Sequence, residues 1–384
     1  MARILFLMSY FQRLGGAERV VTRLATAMAA KHDVHVCALS ADEGFDPGAF
    51  AFPVHIAPKR RRLPLPIRWL TYRSEARWLR SLKRSLSTDI CISSLWRADL
   101  INVLSGGHDR KVSILHAGVG GGKANAMLER LRWVAAPIYR AFDRVVGVSS
   151  EVGKEAIGLY GLAADRVVTI PNAFEPDLPP ESADKSDVIW CGRFVDEKNP
   201  QGAVEIFSEL LREEPDLIIA MVGDGPLLAE CEEAAGPLAS KKLQPGRIAF
   251  LGAVPNAAPL IGSARLLAST SRTESFGLVL LEAISQSVPV VAADAVSGGP
   301  HEVLAAQTAH DPERCSPERT SAGYLLPVPV PGTATVELWV ETIREVLMNP
   351  VLVSDLKQGA LRRAADFSPA QVDRRWDALL GELI

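Results

Sequence analysis

Short apolar runs alternate with amphipathic stretches along nearly the whole chain, and few folds accept that alternation. Arg3–Met8 is one such run. After a turn at Leu14–Gly16, Ala17, Val20, Val21, Leu24 and Met28 recur at helical spacing. Val34–Leu39, Asp89–Ser94, Val112–His116, Val145–Ser149 and Val167–Ile170 read as further strands, several of them separated by helical stretches. A βαβ series of this kind predicts a parallel sheet covered by helices on both faces.

The pattern breaks around Phe174–Asp187, where Pro, Ser and acidic residues cannot build a core. It then restarts with strands at Val188–Cys191, Leu217–Val222, Ile248–Leu251, Leu266–Ser269 and Val288–Ala292. Helices are expected near Pro200–Arg212, Leu227–Ala239 and Phe276–Gln286, and from Val336 to the end. At roughly 100–200 residues per domain, 384 residues exceed one ordinary core. The reading is therefore an α/β chain of two Rossmann-like domains, 1–175 and 188–365, followed by a C-terminal helix over 366–384. A deep cleft is expected between the domains, with ligands at the carboxyl ends of the strands.

Composition removes other classes. Charged residues make up 23% and apolar residues 48%, which excludes disorder and collagen-like structure. No apolar run approaches the ~20 residues that span a bilayer. The N-terminal run lacks a small-x-small cleavage site and reads as a buried strand rather than a signal peptide. Cys37, Cys91, Cys191, Cys231 and Cys315 are far apart and odd in number, which suits reduced thiols and a cytoplasmic location.

Net charge is −3, yet Lys59–Arg84 carries ten basic residues against one acid, Glu75. A single basic segment on an acidic body points to one localised anionic partner rather than to nucleic acid. Arg73, Arg77, Arg80 and Arg84 recur three or four residues apart and share a helix face. Ile67, Leu70, Trp78, Leu79 and Leu82 mix with them, and Trp69, Tyr72 and Trp78 suit headgroup depth. The segment thus reads as a contact with an anionic membrane surface. A solvated basic helix, or one packed on the domain's own acids, is the plainer alternative.

Three motifs carry chemistry. In SRTESFGLVLLEAISQSVPVVAAD (271–294), Glu274 precedes a helix and Glu282 lies eight residues later within it. Ser275, Phe276, Gly277, Leu278 and Val279 open that helix, so its free N–H groups make an anion site. Gly277 lets a ligand approach the backbone. Glu282 can take the two hydroxyls of a ribose, and Glu274 those of a sugar. The plainer reading makes Glu274 a helix cap and Glu282 a solvated residue. In WCGRFVDEKN (190–199), a strand ends at Gly192 and presents Arg193 and Lys198, two cations of different reach that suit a diphosphate. In RLGGAERV (13–20), the Gly-Gly turn at Gly15 and Gly16 leaves helix N–H groups available, although it is not G-x-G-x-x-G. VGDGP (222–226) and LGAVPN (251–256), with Val254, are similar loops for a base. His116 ends a strand at the first domain's cleft edge, and His301 lies near the second domain's. No H-x-x-x-H, D-x-D or carboxylate cluster marks a metal.

With these motifs the chain resembles glycosyltransferase family 4, retaining enzymes of GT-B fold. The resemblance rests on GGAERV, strand-end His116, PNAF (171–174), GRFVDEKN, VGDGP, FLGAVPN and above all Glu274-x7-Glu282. PNAF departs from the more usual PNGV in what is mainly a connecting turn. The resemblance implies that Arg193, Lys198 and the N–H groups near Phe276–Val279 hold the donor diphosphate. Glu282 would hold the ribose, Glu274 the donor sugar, and Gly16 would approach the diphosphate from the other domain. His116 would stand at the reacting centre, so His116 and Glu274 are the candidate catalytic residues. The last helix would cross back to the first domain. No cofactor and no metal are implied, only a nucleotide sugar as substrate. The basic segment and an S-G-G-P-x-E segment resemble members that extend polyprenyl-diphosphate-linked glycans from UDP-sugars at the inner membrane face. Uracil, guanine and adenine stay open as the base. A soluble acceptor and a nucleotide-sugar epimerase are the alternatives.

Overall fold

The computed structural model describes residues 1–11, 16–42, 46–58, 68–117, 132–174, 185–305 and 307–384. The expected turn at Leu14–Gly15, the basic run 59–62 with Ile67, the glycine stretch after Ala117 and most of the linker fall outside these residues. The described residues form two compact units. One takes those up to Asn172 together with Val372–Ile384, and the other takes Ala173–Gln371.

The first unit is built on seven parallel strands: β1 (Arg3–Met8), β2 (Asp33–Ala38), β3 (Val54–Ile56), β4 (Ile90–Ser94), β5 (Arg110–Leu115), β6 (Arg144–Gly147) and β7 (Val167–Thr169). They lie in the order β3-β2-β1-β4-β5-β6-β7. Ile4–Met8 and all of β4 are buried, as expected of strands covered on both faces. The helices are α1 (Gly16–Ala29), α2 (Arg68–Leu86), α3 (Trp96–Ser105), α4 (Arg132–Tyr139) and α5 (Ser150–Tyr160).

Packing of α2 corrects part of the sequence reading. Leu79 is fully buried against Leu5, Leu7, Cys37 and Cys91, while Tyr72, Trp78 and Leu82 pack on the same core. These side chains hold the helix to the sheet and do not face a membrane. Lys83, counted with the basic segment, is buried as well. Its Nζ donates to Asn102 Oδ1 (2.6 Å) and pairs with Asp109 Oδ2 (2.8 Å). Asn102 Nδ2 donates onward to Ser93 Oγ (3.1 Å), and Ser93 Oγ donates to Asp99 Oδ1 (2.7 Å). A buried polar chain therefore ties α2 to α3 and β4.

The second unit has eight strands: β8 (Val188–Cys191), β9 (Ile218–Val222), β10 (Ala239–Ser240), β11 (Arg247–Phe250), β12 (Leu266–Ser269), β13 (Val290–Ala293), β14 (Glu318–Arg319) and β15 (Gly323–Leu326). Their order is β10-β11-β9-β8-β12-β13-β15-β14, and β14 alone runs antiparallel to its neighbour. Its helices are α6 (Pro200–Glu213), α7 (Leu228–Ala235), α8 (Ala258–Ser263), α9 (Leu278–Ser285), α10 (Gly299–Val303), α11 (Ala334–Met348) and α12 (Pro350–Ala364). The last helix, α13 (Pro369–Leu383), follows.

The sequence reading missed β3, β10, β14, β15, α8 and α10, all short. It also began α9 too early and ended α7 too late. Gly277 has φ 88°, outside the helical region, so α9 starts after it. Gly236, at φ 53°, stops α7. From Val372 onward, α13 belongs to the first unit. Val372, Trp376, Leu379 and Leu380 are buried. Asp373 pairs with Arg23 (2.5 Å), Asp377 with Lys31 (2.6 Å) and Glu382 with Arg144 (3.2 Å). Among the described residues no helix is long and apolar enough to cross a membrane.

Candidate functional site

The second sheet changes direction at β8: β9 and β11 lie on one side of it, and β12 and β13 on the other. In open α/β sheets ligands bind outside the carboxyl ends of the strands at such a switch point. The loops following β8 and β12 meet there. Lys198 Nζ, on the first, forms an ion pair with Glu274 Oε2, on the second.

Backbone hydrogen bonds fasten the surrounding loops into one rim. The Phe194 N–H donates to the Asp224 carbonyl, Gly223 to Gly252, Arg272 to Glu197, and Gly299 to Glu274, each at 2.9 Å. Phe194 anchors the β8 loop, its ring fully buried and edge-on to Trp190 at 5.0 Å. Glycine is required where loops touch. A Cβ on Gly225 would lie 2.5 Å from the Phe194 carbonyl oxygen, and one on Gly299 would lie 2.5 Å from the Glu274 carbonyl oxygen. Arg193 is exposed on the same loop that carries Lys198.

The plainer readings of both glutamates fail. The residue preceding α9 is Gly277, with no side-chain cap, and Glu274 is engaged by Lys198 instead. Glu282 is buried on α9 among Leu281, Ala283 and Ile284. The first helical bonds of α9 run from the Leu280 and Leu281 N–H groups to the Gly277 carbonyl. The N–H groups of Leu278 and Val279 thus precede the helix's own ladder and are available to an anion. Phe276 contributes backbone only, because its ring is buried edge-on to Phe367 at 5.7 Å. Ser275 is buried, and Val254 is half-buried in the loop after β11.

In the first unit Gly16 opens α1 after β1, and His116 follows β5. Enclosure lowers the His116 imidazole to about 4, so the ring is neutral at physiological pH, and among the described residues its Nε2 has no hydrogen-bond partner. Arg73, Arg77, Arg80 and Arg84 are exposed along α2. Arg73 lies over the Trp69 ring at 5.4 Å, and Arg80 Nε donates to the Ser105 carbonyl. His301 Nε2 lies 2.7 Å from the Thr308 carbonyl oxygen, tied to its own loop.

Sequence reasoning passed over Asp99. It is fully buried near the start of α3, bonded to Ser93 Oγ, and burial pushes its carboxyl up to about 7. The available signal was a lone carboxylate on the helix face that also carries Ala98, Ile101 and Asn102. Among the described residues no group of three or more His, Cys, Asp or Glu side chains is placed to hold a metal ion.

Two Rossmann-like units, each with its loops massed at one end of a mostly parallel sheet, define the class: these are the domains of GT-B glycosyltransferases. The comparisons agree. A model of Glycosyltransferase Family 4 matches residues 14–178, and one of Glycosyl transferases group 1 matches residues 175–323. The chain belongs to glycosyltransferase family 4. It is 25% identical to an exopolysaccharide phosphotransferase of Streptomyces coelicolor, a match covering all of this chain and 41% of that protein. It is 27% identical to a D-inositol 3-phosphate glycosyltransferase of Catenulispora acidiphila, over 62% of this chain and 57% of the relative. The chain thus spans roughly half the length of these relatives. Among solved structures, Anabaena HepE in complex with UDP superposes with TM-score 0.77 at 18% identity, covering 99% of this chain and all of HepE. The galactosyltransferase WaaB of the lipopolysaccharide outer core superposes with TM-score 0.67 at 16% identity over both full chains.

Proposed function

We propose that the chain is a retaining, metal-independent glycosyltransferase. It moves a hexose or N-acetylhexosamine from a nucleotide-diphosphate sugar, UDP-linked, to a lipid-linked or glycan acceptor at the cytoplasmic membrane face. The observation that carries this reading is the meeting of Lys198 and Glu274 at the strand-order switch, with buried Glu282 on the helix that follows. A cation, a helix start and two carboxylates suit a diphosphate flanked by two sugars. HepE carries UDP on the same fold, and several relatives are named for sugar transfer.

The chemistry follows from charge. Breaking the sugar–phosphate bond leaves an oxocarbenium-like carbon and a nucleoside diphosphate. Arg193, Lys198 and the N–H groups of Leu278 and Val279 stabilise the charge growing on the leaving group. Glu282 holds the ribose and Glu274 the donor sugar. No enzymatic nucleophile is needed for a same-face transfer in which the leaving phosphate takes the acceptor proton. Neutral His116 donates or accepts a hydrogen bond near the reacting carbon without adding positive charge beside the developing cation. The arginine face of α2 meets anionic lipid and brings in the acceptor.

Thermal shift with UDP-, GDP- and ADP-sugars tests the donor, because a ligand at 100 times its Kd adds about 2.7 kcal/mol of stability. UDP-sugars are expected to give the largest shift. Transfer from a radiolabelled UDP-sugar into a lipid extract, unchanged by EDTA, tests the acceptor class and metal independence. Incorporation only after Mg²⁺ or Mn²⁺ is restored overturns the metal-free mechanism.

A further inference from the structure

The amino edge of the first sheet holds a basic cavity of about 510 Å³. It lies between the last turns of α2, the residues leading into β4 and the loop 106–109 leading into β5. His116 follows the carboxyl end of β5, at the opposite edge of the same sheet. The five residues of β4 alone measure about 16 Å, so a group bound in this cavity does not reach His116.

The floor is built from a buried ion pair. The side chains of Lys83 and Asp109 are 4% and 2% exposed and meet at 2.8 Å. Lys111 Nζ approaches the same carboxylate at 3.8 Å, so the only acid among the described lining residues is shared by two cations. Glycines shape the wall. Gly106 and Gly107 take φ 60° and 116°, where other residues are strained. A Cβ on Gly106 would lie 3.2 Å from an Arg80 Nη, and one on Gly107 would lie 2.3 Å from Asp109 Oδ1. The guanidinium and the carboxylate therefore rest against the loop itself.

The mouth is open and cationic. Arg80, Arg84, Ser87 and His108 line it and are exposed. Arg80 Nε donates to the carbonyl of Ser105, the last residue of α3, which fixes the guanidinium in place. A plainer account makes these cations answer the carbonyls at helix ends. That explains one bond of Arg80. Among the described residues Arg84 forms no ion pair, and neither it nor His108 has a side-chain hydrogen bond.

Charge and shape select the ligand. Arg80, Lys83 and Arg84 face one carboxylate, so the cavity is net positive before His108 is counted. Two guanidinium groups, a hydroxyl and an imidazole around one mouth suit a terminal phosphate, which offers three acceptor oxygens. The volume falls within the range of ligand pockets, about 300–1,000 Å³, and leaves room for the body that carries the phosphate.

We propose that this cavity is a binding site for a phosphate monoester, clamped by Arg80 and Arg84 and completed by Ser87 and His108. It goes beyond the glycosyltransferase reading and does not depend on it. A lipid headgroup and a soluble phosphorylated molecule present the same group, and the test separates them.

Calorimetric titration of the full chain with glycerol 3-phosphate tests the site. Phosphate can also visit Arg193 and Lys198, so Lys198→Ala is titrated beside the wild type. Saturable binding is expected in both. Arg84→Gln and His108→Glu, at exposed positions, are each expected to weaken it tenfold or more, with circular dichroism reporting the fold. Arg212→Gln, exposed on α6 of the second unit, is expected to leave it unchanged. Absence of saturable binding, binding that survives both Arg84→Gln and His108→Glu, or binding lost in Lys198→Ala overturns the site. Sedimentation with phosphatidylcholine vesicles containing phosphatidic acid or phosphatidylglycerol then identifies the source. A preference for phosphatidic acid that Arg84→Gln removes assigns the site to a lipid headgroup. Binding of glycerol 3-phosphate without that preference assigns it to a soluble monoester.

Discussion

Lys198 and Glu274 are 76 positions apart in the chain and form an ion pair across the strand-order switch of the second unit. Each orients the other, so removing one changes both the local charge and the geometry. Lys198→Ala and Glu282→Ala are each expected to slow transfer about 10- to 150-fold, the effect of losing a hydrogen bond worth roughly 1.5–3 kcal/mol at a charged group. Circular dichroism should show folded protein. Near-wild-type turnover in both variants would remove the donor-site assignment.

Gly299 and Gly158 make opposite predictions. A Cβ on Gly299 would press within 2.5 Å of the Glu274 carbonyl oxygen and the Phe276 nitrogen, both backbone atoms of the site. Gly299→Ala should cost about 1–3 kcal/mol and lower activity at least tenfold, because the loop carrying Glu274 must move. Gly158 sits in α5 with nothing within 4 Å of an added Cβ. Gly158→Ala should add about 0.5–1 kcal/mol and leave turnover unchanged. Urea unfolding with parallel assays checks both.

The exposed face of α2 carries Arg73, Arg77, Arg80 and Arg84, with Trp69 and Leu70 at its start 50% and 43% exposed. Each cation beside an anionic surface contributes about 1 kcal/mol, so replacing all four with Gln should weaken vesicle binding on the order of a thousandfold. Sedimentation with anionic liposomes should also fall with salt. Binding of nucleotide sugar should be spared. If the quadruple variant sediments and elongates a lipid acceptor normally, α2 has no membrane role.

Burial moves Asp99 and His116, which share one cavity, in opposite directions: Asp99 up to about 7 and His116 down to about 4. Asp99 is protonated more readily in the folded chain than in the unfolded one, where its pKa is about 3.9. Its stabilising effect is complete below pH 4 and is lost as pH rises towards 7. His116 behaves inversely. Its folded pKa lies below the unfolded value of about 6.5, so stability is present above pH 6.5 and lost as pH falls through 4. The two slopes oppose each other in the wild type. Asp99→Asn removes one of them, so its stability relative to wild type should climb between pH 4 and 8 by up to about 4 kcal/mol. A pH-independent difference would mean that Asp99 titrates as an ordinary surface carboxyl.

The limits of reading the chain are visible on two helices. On α9 the spacing of Glu274 and Glu282 was legible, since both lie within one local motif. On α2 the arginine stripe was legible, and the burial of Leu79, Trp78 and Lys83 was not. Helical periodicity says which residues share a face; it does not say whether that face meets lipid, water or a sheet. Lys83 reads as one more surface cation until Asn102 and Asp109 are brought beside it.

Local sequence by itself determined the two α/β units, the order of their longer strands and helices and the glycine-rich turns. These depend on apolar period and backbone freedom, which act over a few residues. Tertiary structure decided the order of strands in each sheet and therefore which loops meet. It placed Lys198 against Glu274, returned Val372–Ile384 to the first unit and enclosed Asp99 beside His116. Those outcomes depend on contacts between residues distant in the chain and on desolvation. Desolvation turns an ordinary carboxyl or imidazole into one that holds its proton differently, and no local pattern of residue types records it.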